Sequence, residues 1–226
     1  MELAERLHGA DLVCSQKMVE GATVLVCTEA GHFMAAQYEA QREMMRGMAE
    51  AKILAALARR QFERAANAAY DFNRSWVFAP GPGFSPEGAL DVARDQLPLL
   101  YGGGLPAIVG PVASVDADHL LAVAALRLLG FHDAVARSVS GDANISPRLA
   151  DDVAVRMCMF AALHRRNQMQ MTQAGCTHAE IGCCSDACPE CAAISGRAYR
   201  IAELPELPLA NCTSEAGCRC RAKAVL

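Results

Sequence analysis

The chain has 226 residues, with 21 Lys and Arg against 25 Asp and Glu, a net charge of −4 at pH 7 and 53% hydrophobic residues. That length allows one ordinary domain plus a small one with a conventional hydrophobic core, and the charge balance offers no basic footprint for nucleic acid or an anionic membrane. MELAERLHGADLVC lacks the basic start and apolar run of a secretory signal, and LLAVAALRLLGF from Leu120 is broken by Arg127 and too short to cross a bilayer, so we expect a cytosolic protein without a membrane partner.

In chain order, residues 1–75 read as a helical segment. From Phe33 to Phe72 there is no proline and many Ala, Met, Glu, Gln and Arg, all good helix formers. Met44, Met48, Ala51, Ala55, Ala58, Phe62, Ala65, Ala69 and Phe72 recur in steps of four and three, one helical stripe. We expect that stripe to face the protein's own core, with a homo-oligomer built through this helix as the other use of such a seam. Phe78 to Gly88 is rich in Pro and Gly and reads as a loop or domain joint, and Tyr101 to Pro111 as a second. Neither ends in the Gly-Lys-Ser/Thr of a phosphate-binding loop.

The region 76–170 is expected to be helical after its joint. A helix resumes with Ser114 as N-cap and Gly130 as its stop; another starts at Pro147 after Ser146, with Asp151 and Asp152 early and His164, Arg165 and Arg166 late. Catalytic motifs are missing: there is no His-Glu-x-x-His, no Gly-x-Ser-x-Gly and no dinucleotide fingerprint. Cys14 and Cys27 have no visible base, Cys158 in MCMF reads as a buried small hydrophobe, and His8, His32, His119, His132 and His164 are isolated.

Residues 171–226 differ from the rest, because eight of the eleven cysteines lie between Cys176 and Cys220. In a reducing compartment such clustering points to metal ligands before disulfides. Cys188-Pro-Glu-Cys191 is a C-x2-C knuckle; after a spacer come Cys212, then Cys218 and Cys220. Gly196 suits a turn, AYRI a short strand, and Pro205 and Pro208 an extended return, so the module resembles a zinc ribbon with a short β-hairpin. We favour Cys188, Cys191, Cys212 and Cys220 as the ligands, Cys220 ahead of Cys218. A second ion would recruit Cys176, His178, Cys183 and Cys184, but two adjacent cysteines seldom face one ion, which favours one Zn2+. A dithiol redox switch would need a thioredoxin-like context that this segment lacks.

The run from Asp186 to Cys220 resembles the cysteine-rich C-terminal end of phage head morphogenesis (minor head) proteins. The shared features are Cys188-Pro189-Glu190-Cys191, Gly196-Arg197-Ala198-Tyr199, the Leu/Pro-rich Leu204 to Leu209, and Cys218-Arg219-Cys220. Where that family has His-Pro-Asn before the final C-R-C, this chain has Asn211 to Gly217, with Cys212 in the histidine's place. The resemblance implies a zinc-binding module and a role in phage particles.

The expected protein is mainly α, with a helical domain and a small C-terminal zinc module that works through contacts with a protein partner. Nucleic-acid binding by the zinc module is the first alternative; from Cys176 onward the chain has five Lys and Arg against six Asp and Glu and only Tyr199 as an aromatic, which disfavours it. An enzyme of unrecognised type in the helical domain is the second.

Overall fold

The computed structural model describes residues 15–19, 22–26, 29–76, 86–131 and 145–225. Cys14, Cys27, His8, His132 and most of the first Pro/Gly-rich loop lie outside them. The protein is mainly α.

Two short strands come first, β1 (Ser15–Val19) and β2 (Ala22–Val26), paired antiparallel with Val19 opposite Ala22. The helical reading of residues 1–75 therefore needs correction here. ATVLV is rich in the β-branched and apolar residues that favour a strand over a helix. Helix α1 (Glu29–Ala58) follows, then α2 (Phe62–Trp76). The two are separated by Arg59 to Gln61, where Arg60 adopts a left-handed φ of 56°.

That break changes the expected stripe. Phe62 is half-buried and Ala65, Ala69 and Phe72 are buried, but Met44, Met48, Ala51, Ala55 and Ala58 are exposed. The buried face of α1 is instead Ala49, Ile53, Ala56 and Leu57. A turn between two helices resets the angular phase, so residues in register along one continuous helix fall on different sides of two.

Helix α3 (Pro86–Gly103) lies in the region expected to be helical and extends at both ends into the Pro/Gly-rich stretches expected as loops, taking in Pro86 to Gly88 and Tyr101 to Gly103. Pro86 opens it, where the missing amide costs nothing, but Pro98 lies inside and removes one backbone hydrogen bond. Leu97 and Leu100 are fully buried on either side, and their burial offsets that loss. The glycines after Tyr101 divide their work: Gly102 and Gly103 finish the helix, and Gly104 and Gly110, both at positive φ, shape the turns around a single 3-10 turn at Ala107–Val109.

Helix α4 (Ser114–Leu128) begins one residue before its expected first turn; Ala113 is the cap, without a side-chain bond. Gly130, at φ 90°, ends it as expected and Phe131 N–H closes onto the Leu126 carbonyl. Helix α5 (Asp151–Gln173) begins four residues after the expected Pro147. The buried Ser146 hydroxyl organises the entry instead, accepting from the amides of Arg148 and Leu149 at 3.2 and 3.0 Å and donating to the Val109 carbonyl at 2.7 Å. Asp151 accepts from the Ile145 amide at 2.7 Å.

Because α5 runs on to Gln173, His164, Arg165 and Arg166 sit in its middle, not in its last turn. Their work is lateral. Arg165 pairs with Glu206 at 2.9 Å, Arg166 with Asp95 of α3 at 3.2 Å, and Asn167 and Gln168 donate to the carbonyls of Ala222 and Ile201 at 2.8 and 2.9 Å. Helix α5 thus packs on α3 and α4 and holds the C-terminal segment.

That segment carries β3 (His178–Gly182), a short helix α6 (Pro189–Ile194), β4 (Ala198–Arg200) and β5 (Arg221–Val225) in an antiparallel sheet of order β4-β3-β5. The sheet has three strands where the sequence predicts a single hairpin, and its central strand, HAEIG, carries the candidate ligand His178. Ala179, Ile181 and Ala222 form its buried face, and Asn167 of α5 bonds at the Ala222 carbonyl. Buried side chains form one continuous cluster from Ala49 to Ala222.

His164, buried on α5, gives a pH prediction. Burial holds its imidazole below the ordinary value, the Pro205 carbonyl partly offsetting this, with Arg165 lowering and Glu206 raising it further, and its Nε2 has no hydrogen-bond partner. Below its ordinary pKa of 6.5 the unfolded chain takes up the proton first, so stability is lost as the pH falls from there toward the depressed folded-state value. We predict that His164→Gln loses less stability than the parent between pH 7.5 and 5.5 in urea unfolding; equal losses would rule out a buried neutral histidine.

Candidate metal centre

Six cysteine sulfurs converge beside the sheet. Cys188 caps α6 and Cys191 lies one turn later, so the short helix aims both thiols to one side. The loop of Cys212 and the segment of Cys218 and Cys220 bring the others. The sulfurs of Cys188, Cys191 and Cys212 lie within 4.8 Å of one another, and so do those of Cys191, Cys218 and Cys220. Cys191 belongs to both trios. The Cys188–Cys212 and Cys191–Cys218 sulfur separations are 3.6 and 3.8 Å. Thiolates bound at about 2.3 Å to a tetrahedral ion stand about 3.8 Å apart, so the spacing fits metal ligation without rearrangement of those pairs.

Cys183 is the sixth. It follows Gly182 at the end of β3, and its sulfur stands 2.7 Å from that of Cys220. As a thiol it also donates to the Cys191 carbonyl at 3.2 Å. Its neighbour Cys184 is exposed and lines only the rim, because successive side chains of extended backbone point to opposite sides. Cys176 and His178 belong to neither trio and do not line the pocket; His178 Nδ1 instead meets the Thr177 hydroxyl at 3.0 Å. Adjacent cysteines pointing oppositely was a signal already in the sequence, but which of the two faces inward depends on how β3 is placed.

The electrostatics favour deprotonation at one corner and resist it at the others. Burial raises the Cys188 thiol pKa, but the backbone amides of Cys191 and Thr213 and the thiols of Cys191 and Cys212 point at its sulfur and bring it down to about 6. Burial pushes the thiols of Cys191, Cys212 and Cys220 up, reinforced by neighbouring sulfurs that would repel a second negative charge. Six crowded thiols without a cation cannot all ionise. A divalent cation held by these sulfurs would supply the missing charge. Cys158, fully buried on α5 and pushed up to about 12 by burial, stands apart as a core residue. On the rim, Arg219 pairs with Asp186 and holds that exposed carboxyl below the usual range.

The chain was compared with models of protein families, with curated proteins and with solved structures, and matches none of them. The metal-binding geometry stands on the residues alone. Among the described residues no helix is long and apolar enough to cross a membrane.

Gly217 sets the approach of the last cysteines. Its φ is 80°, and a Cβ there would meet Met157 Cε at 2.6 Å and Val153 Cγ1 at 3.0 Å. Both neighbours lie on α5, so this glycine lets the loop between Cys212 and Cys218 lie flat against the helix. We predict that Gly217→Ala costs about 1–2 kcal/mol for the backbone alone, with added cost from displacing the buried Met157. Denaturant unfolding combined with a metal competition titration would check it. Stability and metal affinity should fall together; loss of neither would show that the loop can move off α5.

Proposed function

We propose that this is a non-enzymatic zinc protein, a helical scaffold whose C-terminal module is closed by thiolate-bound Zn2+ and which acts through contacts with other proteins. The observation that carries this reading is the convergence of six sulfurs, with the Cys188, Cys191 and Cys212 trio buried in one pocket. An all-thiolate, tetrahedrally spaced donor set suits zinc above the hard cations, and a fully thiolate-bound ion keeps no open position for water or substrate. Its role is therefore structural. A reducing cytosol is the compartment in which such thiols remain available.

The order of features from Cys188 to Cys220 supports placing the module with those of phage head morphogenesis proteins, and hence its partners among the proteins of a phage particle. The test begins with metal content per chain on protein purified under reducing conditions, and with thiol titration before and after chelation. Bound zinc with thiols released on chelation supports the reading. Protein free of metal, with cysteines oxidised in pairs, would return the tail to redox chemistry. For the phage role, the chain should be retained with assembled heads and be lost from them when its zinc is removed; absence from heads in both states would overturn that part.

A further inference from the structure

We propose that the six cysteines form a binuclear site, in which two zinc-class divalent ions share the thiolates of Cys191 and Cys218. The proposal rests on the zinc reading above and specifies its stoichiometry and bridging atoms. One tetrahedral ion takes four sulfurs, which would leave two of the six as unligated thiols in direct contact with a metal-thiolate centre. The geometry gives those two a place.

Cys191 is common to both trios, so it stands where two coordination spheres meet. The second trio, Cys191, Cys218 and Cys220, finds its fourth donor in Cys183, whose sulfur lies 2.7 Å from that of Cys220 and would open to a tetrahedral edge of about 3.8 Å on ligation. The first trio, Cys188, Cys191 and Cys212, then lacks one donor. Two four-coordinate ions served by six sulfurs need two shared thiolates. Cys218 faces Cys191 at 3.8 Å, the edge length of a zinc-thiolate tetrahedron, and it is buried; to complete the first sphere it would close on Cys188 and Cys212 as the ion binds. The Cys191–Cys218 edge is therefore the shared one. Ligation would replace the contact that the Cys183 thiol makes to the Cys191 carbonyl.

The two ions do different structural work. The first ties α6 to the Cys212 loop. The second ties the chain just after β3 to the chain just before β5, one step beyond the paired residues Gly182 and Arg221, and so extends the strand ladder with a metal clamp.

The experiment is a titration of the reduced, metal-free full chain with Zn2+ alone, with native mass spectrometry for stoichiometry and zinc X-ray absorption on the loaded protein. We expect close to two ions per chain and a metal–metal distance of about 3–4 Å. Cys183→Ser should halve the bound zinc, leaving one ion in the first trio. Saturation at one ion, unchanged by Cys183→Ser, would overturn the binuclear site while leaving the zinc module intact. No zinc at all would overturn both. If Cys183→Ser fails to fold, the parent's stoichiometry and metal–metal distance decide the matter unaided, and two ions without a short metal–metal distance would also sink the shared edge.

Discussion

Removal of zinc from the full chain is expected to unfold the segment from β3 to β5 while the helices remain. Few large apolar side chains hold this segment: Ile181, Ile201 and Leu207 are buried, together with Ala179 and Ala222 and the cysteines themselves. So small a core does not cover the entropy of ordering its backbone, whereas binding of structural zinc contributes about 10 kcal/mol or more. The helices keep the larger part of the continuous core, with Ile53, Leu97, Leu100, Leu120 and Val155 all fully buried. Hydrogen exchange before and after chelation under reducing conditions reads the two parts separately. The amides of Ile181 and Gly196, which bond to the carbonyls of Arg197 and Ile181, should lose protection, and those of the interior of α5 should keep it. Retained protection in the sheet would mean that docking on α5 suffices and that the metal has another purpose.

The second large effect is expected at the opposite end of the core. Phe131 follows the Gly130 stop, is 1% exposed, and packs its ring on Phe72 at a centroid distance of 5.4 Å. The guanidinium of Arg46, itself buried and paired with Glu50 at 3.3 Å, lies 5.8 Å from the same ring. We predict that Phe131→Ala destabilises the protein by about 3–5 kcal/mol, the range for removing a buried ring and leaving a cavity. The loss also strips the aromatic face from a buried cation. Zinc content in the protein that remains folded should not change, because the ring touches α1 and α2 while the cysteine pocket is lined by α6 and the loops around it between Cys183 and Cys220. Chemical unfolding with metal analysis checks both halves. A loss below about 1 kcal/mol would show that the site collapses around the missing ring.

Two features of the metal centre lead from residue spacing to geometry with different success. The C-x2-C of Cys188 and Cys191 is local, and a single helical turn brings its thiols together wherever the segment lies. Cys183 joins through strand pairing: it reaches Cys220 because Gly182 lies opposite Arg221, a partner far along the chain. No local spacing encodes that register. His178 has ligand chemistry in the sequence, but its strand position leaves it exposed and away from the sulfurs.

The helical part shows the same division. Composition alone identifies α1, α4 and α5, since Ala, Leu, Met, Arg and Glu at helical spacing favour one backbone state regardless of neighbours. It does not show where the long N-terminal helix breaks. Arg60 in a left-handed turn is a choice made by packing α1 against α2, and with it the expected stripe divides into an exposed part and a buried part. Pro98 inside α3 is tolerated for the same reason: burial of Leu97 and Leu100 outweighs the lost bond.

The sequence by itself determined the mainly helical class, the placing of candidate ligands in the last quarter of the chain and the Cys188–Cys191 knuckle, because those properties depend on composition and on residues a few positions apart. The tertiary structure alone decided which cysteines converge, that Cys191 belongs to two groups, and that Cys183 meets Cys220 while Cys184 is left on the rim and Cys176 and His178 stay outside. Those outcomes rest on strand register and on docking against α5, and both depend on contacts between residues distant in sequence.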